Sequence, residues 1–388
     1  MEGLLIKIAS IATAVAVLAL FYIYIGYPLL LAAIAAFVRR KRPDTGHCPR
    51  LTVLISAYNE EASIERKLRE TLALEYPQDR LEILVVSDGS TDRTDEIVQA
   101  FTDSRVRLLR VNGRRGKTYA QNQGVAASSG DIIVFSDATA VYHPQALLYL
   151  ACNYADPGVG AVSGRYQYFD PDGKSPTGLG SIAFWNYENT IKKLQSKILT
   201  LTGCSGCIYS VRRDLYVPLP ADACSDLVEP LCIVRNRYRV AFEDRALAYE
   251  LTTKTSSQEF RMRVRVATRG MRGVVSVGEL LRPWQFGWVS FQLLSHKLLR
   301  WMASVFLLIL FFATGVIAFA SLPFAVFFTL QALFYAIALV SLLIPFHTAW
   351  KPLGLPLFFC TLNAAALMGM IELLRGNKYT VWETIREA

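Results

Sequence analysis

Hydrophobic positions fall into three regimes along this chain. Residues 4–38 and 302–374 are almost free of charge, whereas between 43 and 283 short apolar runs alternate with mixed stretches. A membrane-crossing helix needs about 20 apolar residues, so 4–38 is long enough to cross once with length left for tilt. It is too long for a signal-peptide core, and no small-residue cleavage site follows it. The block 302–374 divides at Ser321-Leu322-Pro323 and again at 345–351 into spans expected at 302–320, 323–345 and 353–374. The middle region reads differently. LTVLISA (51–57), LEILVVS (81–87), RVRLLRV (105–111) and DIIVFSD (131–137) are β-rich runs, each followed by a loop or a helix-like stretch. Near-continuous Val/Ile/Leu runs alternating with helices predict a mostly parallel sheet covered on both faces. In such sheets ligands bind at the carboxyl ends of the strands. Three of these ends read Ala57-Tyr58-Asn59-Glu60, Ser87-Asp88-Gly89-Ser90 and Ser136-Asp137-Ala138-Thr139. Asn59 and Asp88 also suit helix caps, and Asp137 a turn cap. Three such ends on one edge predict a binding site.

Gly113-Arg114-Arg115-Gly116-Lys117-Thr118 lies between the second and third of these ends and precedes a helix-like run. Backbone amides at a helix start, with Lys117 beside them, suit a phosphate. The spacing is not that of a P-loop.

Composition and charge refine this picture. Of 388 residues 53% are hydrophobic, and the net charge is +9. Arg39-Arg40-Lys41-Arg42 follows the first apolar block, a basic stop that predicts an outside N-terminus and a cytoplasmic 43–283 region. Much of the positive charge lies beside apolar segments, which fits attraction to an anionic lipid surface. A polynucleotide partner is not expected, because no platform of interleaved aromatics accompanies the charge. Cys204-Ser205-Gly206-Cys207 is a single CxxC among seven cysteines. A structural zinc site needs four ligands, and a cytoplasmic domain does not favour disulfides, so these thiols read as packed.

Taken together, AYNEEASIERKL, VVSDGSTDRT, GRRGKTYAQNQGVAASSGDIIVFSDAT, GCSGCIYSVRR and CSDLVEP resemble the family 2 inverting glycosyltransferases of the GT-A fold. The resemblance covers most of 51–283. The flanking apolar blocks are similar to the membrane-bound branch that includes cellulose, chitin and hyaluronan synthases and lipid-linked sugar transferases. It implies that Ala57, Tyr58, Asn59, Glu60 and Asp88 hold the nucleoside of a nucleotide-sugar donor, with Lys117 close by. Asp137 would ligate Mg²⁺ or Mn²⁺ on the donor pyrophosphate, and Asp226 would be the general base, with Glu229 and the Glu243-Asp244 pair as rival carboxylates. Oxygen ligands suit these hard cations, and a carboxylate can take the proton of an acceptor hydroxyl. Two departures stand out. The D-x-D of the family reads Asp137-Ala138-Thr139, without its second acid, and the QxxRW of polymerising synthases is replaced by Gln258 followed by an arginine run without tryptophan.

In that run Arg261, Arg265, Arg269 and Arg272 form one helical stripe. Phe260, Val264, Ala267, Met271 and Val274 lie toward the other side. The stripe suits either a departing diphosphate, through Arg265 and Arg269, or anionic lipid. Residues 284–301 place Trp288, Phe291, Leu294, Leu298 and Trp301 on one face, with Gln292, His296, Lys297 and Arg300 away from it, which predicts an interfacial helix.

The chain is therefore expected to comprise an N-terminal membrane helix (1–42), a cytoplasmic GT-A domain (43–283), the interfacial helix (284–301), C-terminal membrane helices (302–374) and a tail (375–388). The expected activity is sugar transfer from a UDP- or GDP-sugar to a lipid-linked or glycan acceptor, at a bacterial inner membrane. A processive polysaccharide synthase, in which an oligomer walls the conduit, and an inactive nucleotide-binding scaffold are the alternatives. A short product on a polyprenyl phosphate acceptor is favoured, because 302–345 offers only Gln331 as a strongly polar side chain and a polysaccharide needs a polar conduit to cross hydrocarbon. Three C-terminal spans would leave the tail outside, yet its basic residues and the YTVWETIR sequence point to the cytoplasmic face. One apolar block is then expected to be re-entrant.

Overall fold

The computed structural model describes residues 2–40, 43, 46–169, 178–251, 255–344, 352 and 354–381. Helices α1 (Glu2–Phe21) and α2 (Tyr27–Phe37) are joined without a break by a π-helical turn over Tyr22–Gly26. The α/β region then runs β1 (Leu51–Ala57), α3 (Ile64–Leu72), β2 (Leu81–Ser87), α4 (Thr94–Gln99), β3 (Val106–Arg110), α5 (Lys117–Ala127), β4 (Ile132–Asp137), β5 (Val141–Tyr142), α6 (Ala146–Cys152) and β6 (Val159–Phe169). It continues through α7 (Gly178–Ile198), β7 (Ile208–Arg212), α8 (Ser225–Arg235), β8 (Arg239–Leu251) and α9 (Ser256–Ser276). After the short α10 (Pro283–Phe286) come α11 (Trp288–Leu293), α12 (Leu299–Ala318), α13 (Leu322–Leu343) and α14 (Gly354–Leu374).

The strands form one sheet in the order β3-β2-β1-β4-β7-β6-β8-β5. Strands β3, β2, β1 and β4 are parallel, with Ala57 opposite Ser87 and Ser56 opposite Asp137. The three polar strand ends are therefore neighbours on one edge, as the apolar runs predicted. All seven residues of β1 are buried, because cores lie on both faces. Val53, Ile55 and Ala57 pack with Ile64 and Leu68 of α3, and Leu54 packs with Ala120 and Val125 of α5. The other half of the sheet is mixed. β7 runs antiparallel to both β4 and β6, and β5 antiparallel to β8, while β6 and β8 are parallel.

Among the described residues four helices are long and apolar enough to cross a membrane, at Glu2–Phe37, Trp288–Ala318, Leu322–Leu343 and Gly354–Leu374. Ala9 of α1 packs on Ala313 and Ile317 of α12. The break expected at 345–351 falls largely outside the described residues. The separate interfacial helix expected at 284–301 is corrected by the structure. Gly287, in left-handed backbone, ends α10, and α11 runs through a second π-helical turn (Leu294–Leu298) directly into α12. Its polar residues turn inward: Gln292 and His296 are buried while Trp284 and Leu294 are exposed. The reason is α7, whose Gln195 and Glu188 lie at 3.2 and 3.3 Å from the two ring nitrogens of His296. The two π turns face each other, with Tyr22 Oη 2.8 Å from Ser295 Oγ.

Candidate active site

The polar edge of the sheet is assembled from the strand ends upward. Asn59 takes positive φ (+52°), a backbone conformation that Asn tolerates better than most residues. Its amide group links β1 to the loop after β2, accepting from Thr91 N at 2.8 Å and donating to Thr91 Oγ1 at 3.3 Å. Asn59 is thus not the cap of α3, a position held by Ser63. Burial pushes the Glu60 carboxyl up to about 7 against the opposing hydrogen bond from Ser63. The Arg114 guanidinium lies 4.0 Å from the centre of the Tyr58 ring, a cation–π contact.

Asp88 does not cap α4 either. It is fully buried, and its two oxygens accept the Arg115 and Gly116 amides, each at 2.8 Å. Burial pushes its pKa up while these amides oppose the rise. Asp88 therefore shapes the glycine loop, where Gly116 takes a φ of +99° that a side chain would resist. Lys117 opens α5 and pairs with Asp137 at the end of β4. Burial would lower the lysine pKa, yet Asp137 lifts it above its usual value.

Asp226 lies in the first turn of α8, whose N-cap is Cys224, so the capping role open in the sequence is not the one it takes. Its carboxylate accepts from Cys224 Sγ at 3.0 Å, and its carbonyl accepts from Cys204 N at 2.8 Å. It lines a cleft of ≈ 200 Å³ together with Lys192, Lys297, Arg263, Trp301 and Leu362. Lys192 donates to Ser205 Oγ at 2.8 Å, and Lys297 Nζ stands 3.7 Å from where a Cβ on Gly203 would sit. Both ammonium groups thus approach the segment that carries Cys204. Burial first, and Lys297 second, hold Lys192 below the usual lysine range. Glu188 is buried against His296 and Arg300; burial would raise its pKa, but the Arg300 guanidinium beside it holds it well below the carboxylate norm.

The rival carboxylates have other tasks. Glu229 is fully buried, accepts only a long bond from Val217 N (3.4 Å) among the described contacts, and is pushed up to about 8 by burial. Glu243 pairs with Arg245 at 2.8 Å and Asp244 with Lys193 at 2.6 Å. All seven cysteines are free, and burial pushes the Cys204 thiol up to about 12.

The arginine stripe divides its contacts. Arg269 donates to Thr118 Oγ1 at 3.1 Å and to the carbonyls of Asp222 and Ala223, which sets it beside Lys117. Arg265 lines a hollow with Met368, Glu372, Tyr379 and Val381. Arg272 donates to Asn377 O at 2.8 Å, and the Thr380 carbonyl lies against Gly116. The tail up to Val381 thus rests beside the glycine loop. Trp382, Thr384 and Arg386 lie outside the described residues.

Among the described residues no group of three His, Cys, Asp or Glu side chains is arranged for a metal. The oxygen chemistry nonetheless fits a hard cation. Mg²⁺ is commonly held by one or two carboxylates plus substrate phosphates and water, and Asp137 is a carboxylate beside the glycine loop. The sequence reading missed Glu188, Lys192 and Gln195. Their spacing of four and seven along one helix face was the available signal.

A parallel β3-β2-β1-β4 half with Asp88 and Asp137 on one edge, extended by a mixed half, is a GT-A architecture. The structure is similar to that of the mannosyltransferase PcManGT from Pyrobaculum calidifontis in complex with GDP-Man and Mn²⁺. The TM-score is 0.75 at 24% identity, over 96% of this chain and 99% of that one. Residues 52–217 match the family model described as Glycosyl transferase family 2. "Probable glycosyltransferase YdaM" of Bacillus subtilis (strain 168) is 29% identical over 238 residues, 60% of this chain. Poly-beta-1,6-N-acetyl-D-glucosamine synthase of Staphylococcus aureus (strain COL) is 28% identical over 241 residues, 59% of this chain. The match spans 57% of the length of each of these two curated relatives.

Proposed function

We propose that this protein transfers a sugar, with inversion, from a UDP- or GDP-sugar to a lipid-held acceptor at the cytoplasmic face of a bacterial inner membrane. The carrying observation is the placement of two chemistries side by side. Lys117, Asp137 and the Asp88-held loop form a phosphate edge, and Asp226 opens into a cleft between α7, α9, α12 and α14. Lys117 and Arg269 offer positive charge to a leaving diphosphate. Asp137, with the donor's phosphate oxygens, would hold Mg²⁺ or Mn²⁺, which offsets charge on that leaving group. Asp226 takes the proton of the acceptor hydroxyl. The PcManGT complex, with GDP-Man and Mn²⁺, supports both donor and cation.

The cleft also supports a lipid phosphate acceptor, such as a polyprenyl phosphate. Its wall carries Trp301 and Leu362 beside the two ammonium groups of Lys192 and Lys297, a match for an apolar tail with an anionic head. A short product is favoured over a secreted polymer. Gln331, the strongly polar residue of 302–345, donates to Thr314 at 3.0 Å, so its amide group serves helix packing. Likeness to the Staphylococcus synthase is what favours the processive reading. The inactive-scaffold reading has against it the presence of Asp88, Lys117, Asp137 and Asp226 in one neighbourhood. The test measures nucleoside diphosphate release from several UDP- and GDP-sugars, with Mg²⁺ or Mn²⁺ and a lipid extract, and sizes the product in vesicles. Release that depends on lipid, with a short product, is expected. Long vesicle-enclosed chains made without a lipid acceptor refute the acceptor reading, and absence of release from every donor refutes transfer itself.

A further inference from the structure

The D-x-D pattern breaks at its second acid, and a carboxylate from a distant strand stands at the break. Thr139, at the third position, donates its hydroxyl to Glu250 Oε1 at 3.0 Å, across 111 residues of sequence. Glu250 lies on β8 and is 5% exposed. Its Oε2 accepts from Tyr166 Oη at 2.7 Å. The topology brings it there: β5 begins two residues after Thr139 and pairs with β8, Val141 opposite Tyr249. Glu250 lines one cleft with Thr139, Asn59 and Glu60, on the edge that carries the phosphate loop. Mg²⁺ and Mn²⁺ sites on phosphates draw on one or two carboxylates.

We propose that Glu250 is the second carboxylate of the divalent-cation site, oriented by Thr139 and Tyr166 in place of the acid that the motif lacks. This rests on the metal-assisted donor reading above. The test uses the full chain in detergent and follows free Mn²⁺ by electron paramagnetic resonance, with UDP or GDP present. Glu250→Gln is expected to weaken Mn²⁺ binding about tenfold or more. The double variant Glu250→Gln/Thr139→Asp, which returns an acid two residues after Asp137, should recover most of that loss. Unchanged Mn²⁺ affinity in Glu250→Gln, or a double variant no tighter than the single one, overturns the proposal. Should Glu250→Gln fail to fold, Thr139→Val decides: it frees the carboxylate from one anchor and keeps its charge. Weaker Mn²⁺ binding then supports the role, and unchanged binding overturns it. A wild type that binds no Mn²⁺ with either nucleotide overturns the metal reading itself, and Glu250's part with it.

Discussion

The carboxylate of Asp226 sits in the first turn of α8 without capping it, and Gly206 is why it has room. A Cβ on Gly206 would stand 2.8 Å from Asp226 Oδ2, so only glycine lets the turn after β6 and α7 pass this close. Asp226→Asn should lower turnover about a hundredfold or more while donor binding, measured by calorimetry, stays near wild type. Near-normal turnover would remove Asp226 from the chemistry. Glu229, three residues on, illustrates a buried acid with a different consequence. Its pKa in the fold, about 8, lies above its ordinary 4.5 because burial disfavours the charged form. Protonation therefore favours the fold: this contribution is fully present below the ordinary value and is lost as pH rises through about 8, at about 1.4 kcal/mol per pKa unit. Glu229→Gln should flatten the fall in melting temperature across that window and raise it at the alkaline end. An equally steep fall in the variant would assign the dependence to other groups. Residue type alone left Asn59, Asp88 and Asp226 open between cap and ligand, since Asn and Asp serve both. Only side-chain hydrogen-bond partners separate the two, and for Asn59 and Asp88 those lie more than 20 residues away in Thr91 and Arg115.

At the scale of elements, the parallel half of the sheet was legible because a strand buried on both faces must be apolar throughout. Its first polar residue then marks the edge. The mixed half was not, since β7 and β5 are five and two residues long and their direction depends on β4, β6 and β8. The arginine stripe of α9 was also legible, but what it faces is set by α14 and the tail, which no periodicity in α9 encodes. Helices α9 and α14 meet closely: a Cβ on Gly369 would lie 2.8 Å from Ala267 Cβ and 3.2 Å from Thr268 N. Gly369→Val should therefore cost about 1–3 kcal/mol and loosen the tail from the donor edge. Thermal unfolding in detergent would show the loss. An unchanged melting point would mean that the two helices separate freely. The polar stripe of α7 was overlooked because a helix with Glu188, Lys192 and Gln195 on one side reads as solvated, whereas in the fold α11 and α12 bury that side with their own polar residues.

For the molecule as a whole, the tail bears on the topology. The bond from Arg272 to Asn377 and the contact of Thr380 with Gly116 set residues 377–380 against the GT-A domain. α14 has Phe358 against Gly180 and Gly369 against Ala267, so stretches near both of its ends touch helices of that domain. This supports a re-entrant path for α14 over a full crossing. An impermeant thiol reagent should accordingly fail to label Lys378→Cys from outside intact cells and label it once the membrane is opened. Labelling from outside would reverse the assignment. The paired π turns carry a further consequence. Each holds one residue more than an α-helix would need, so deleting one residue from 22–26 would rewind that turn as α-helix and leave the segments on either side in phase. A deletion between Ala9 and Phe21 would instead swing everything before it by about 100° about the axis, and the Ala9 seam on α12 would point elsewhere. The first span tolerates the loss of one residue at the turn and nowhere else along α1, like a rope with its slack gathered in a single loop.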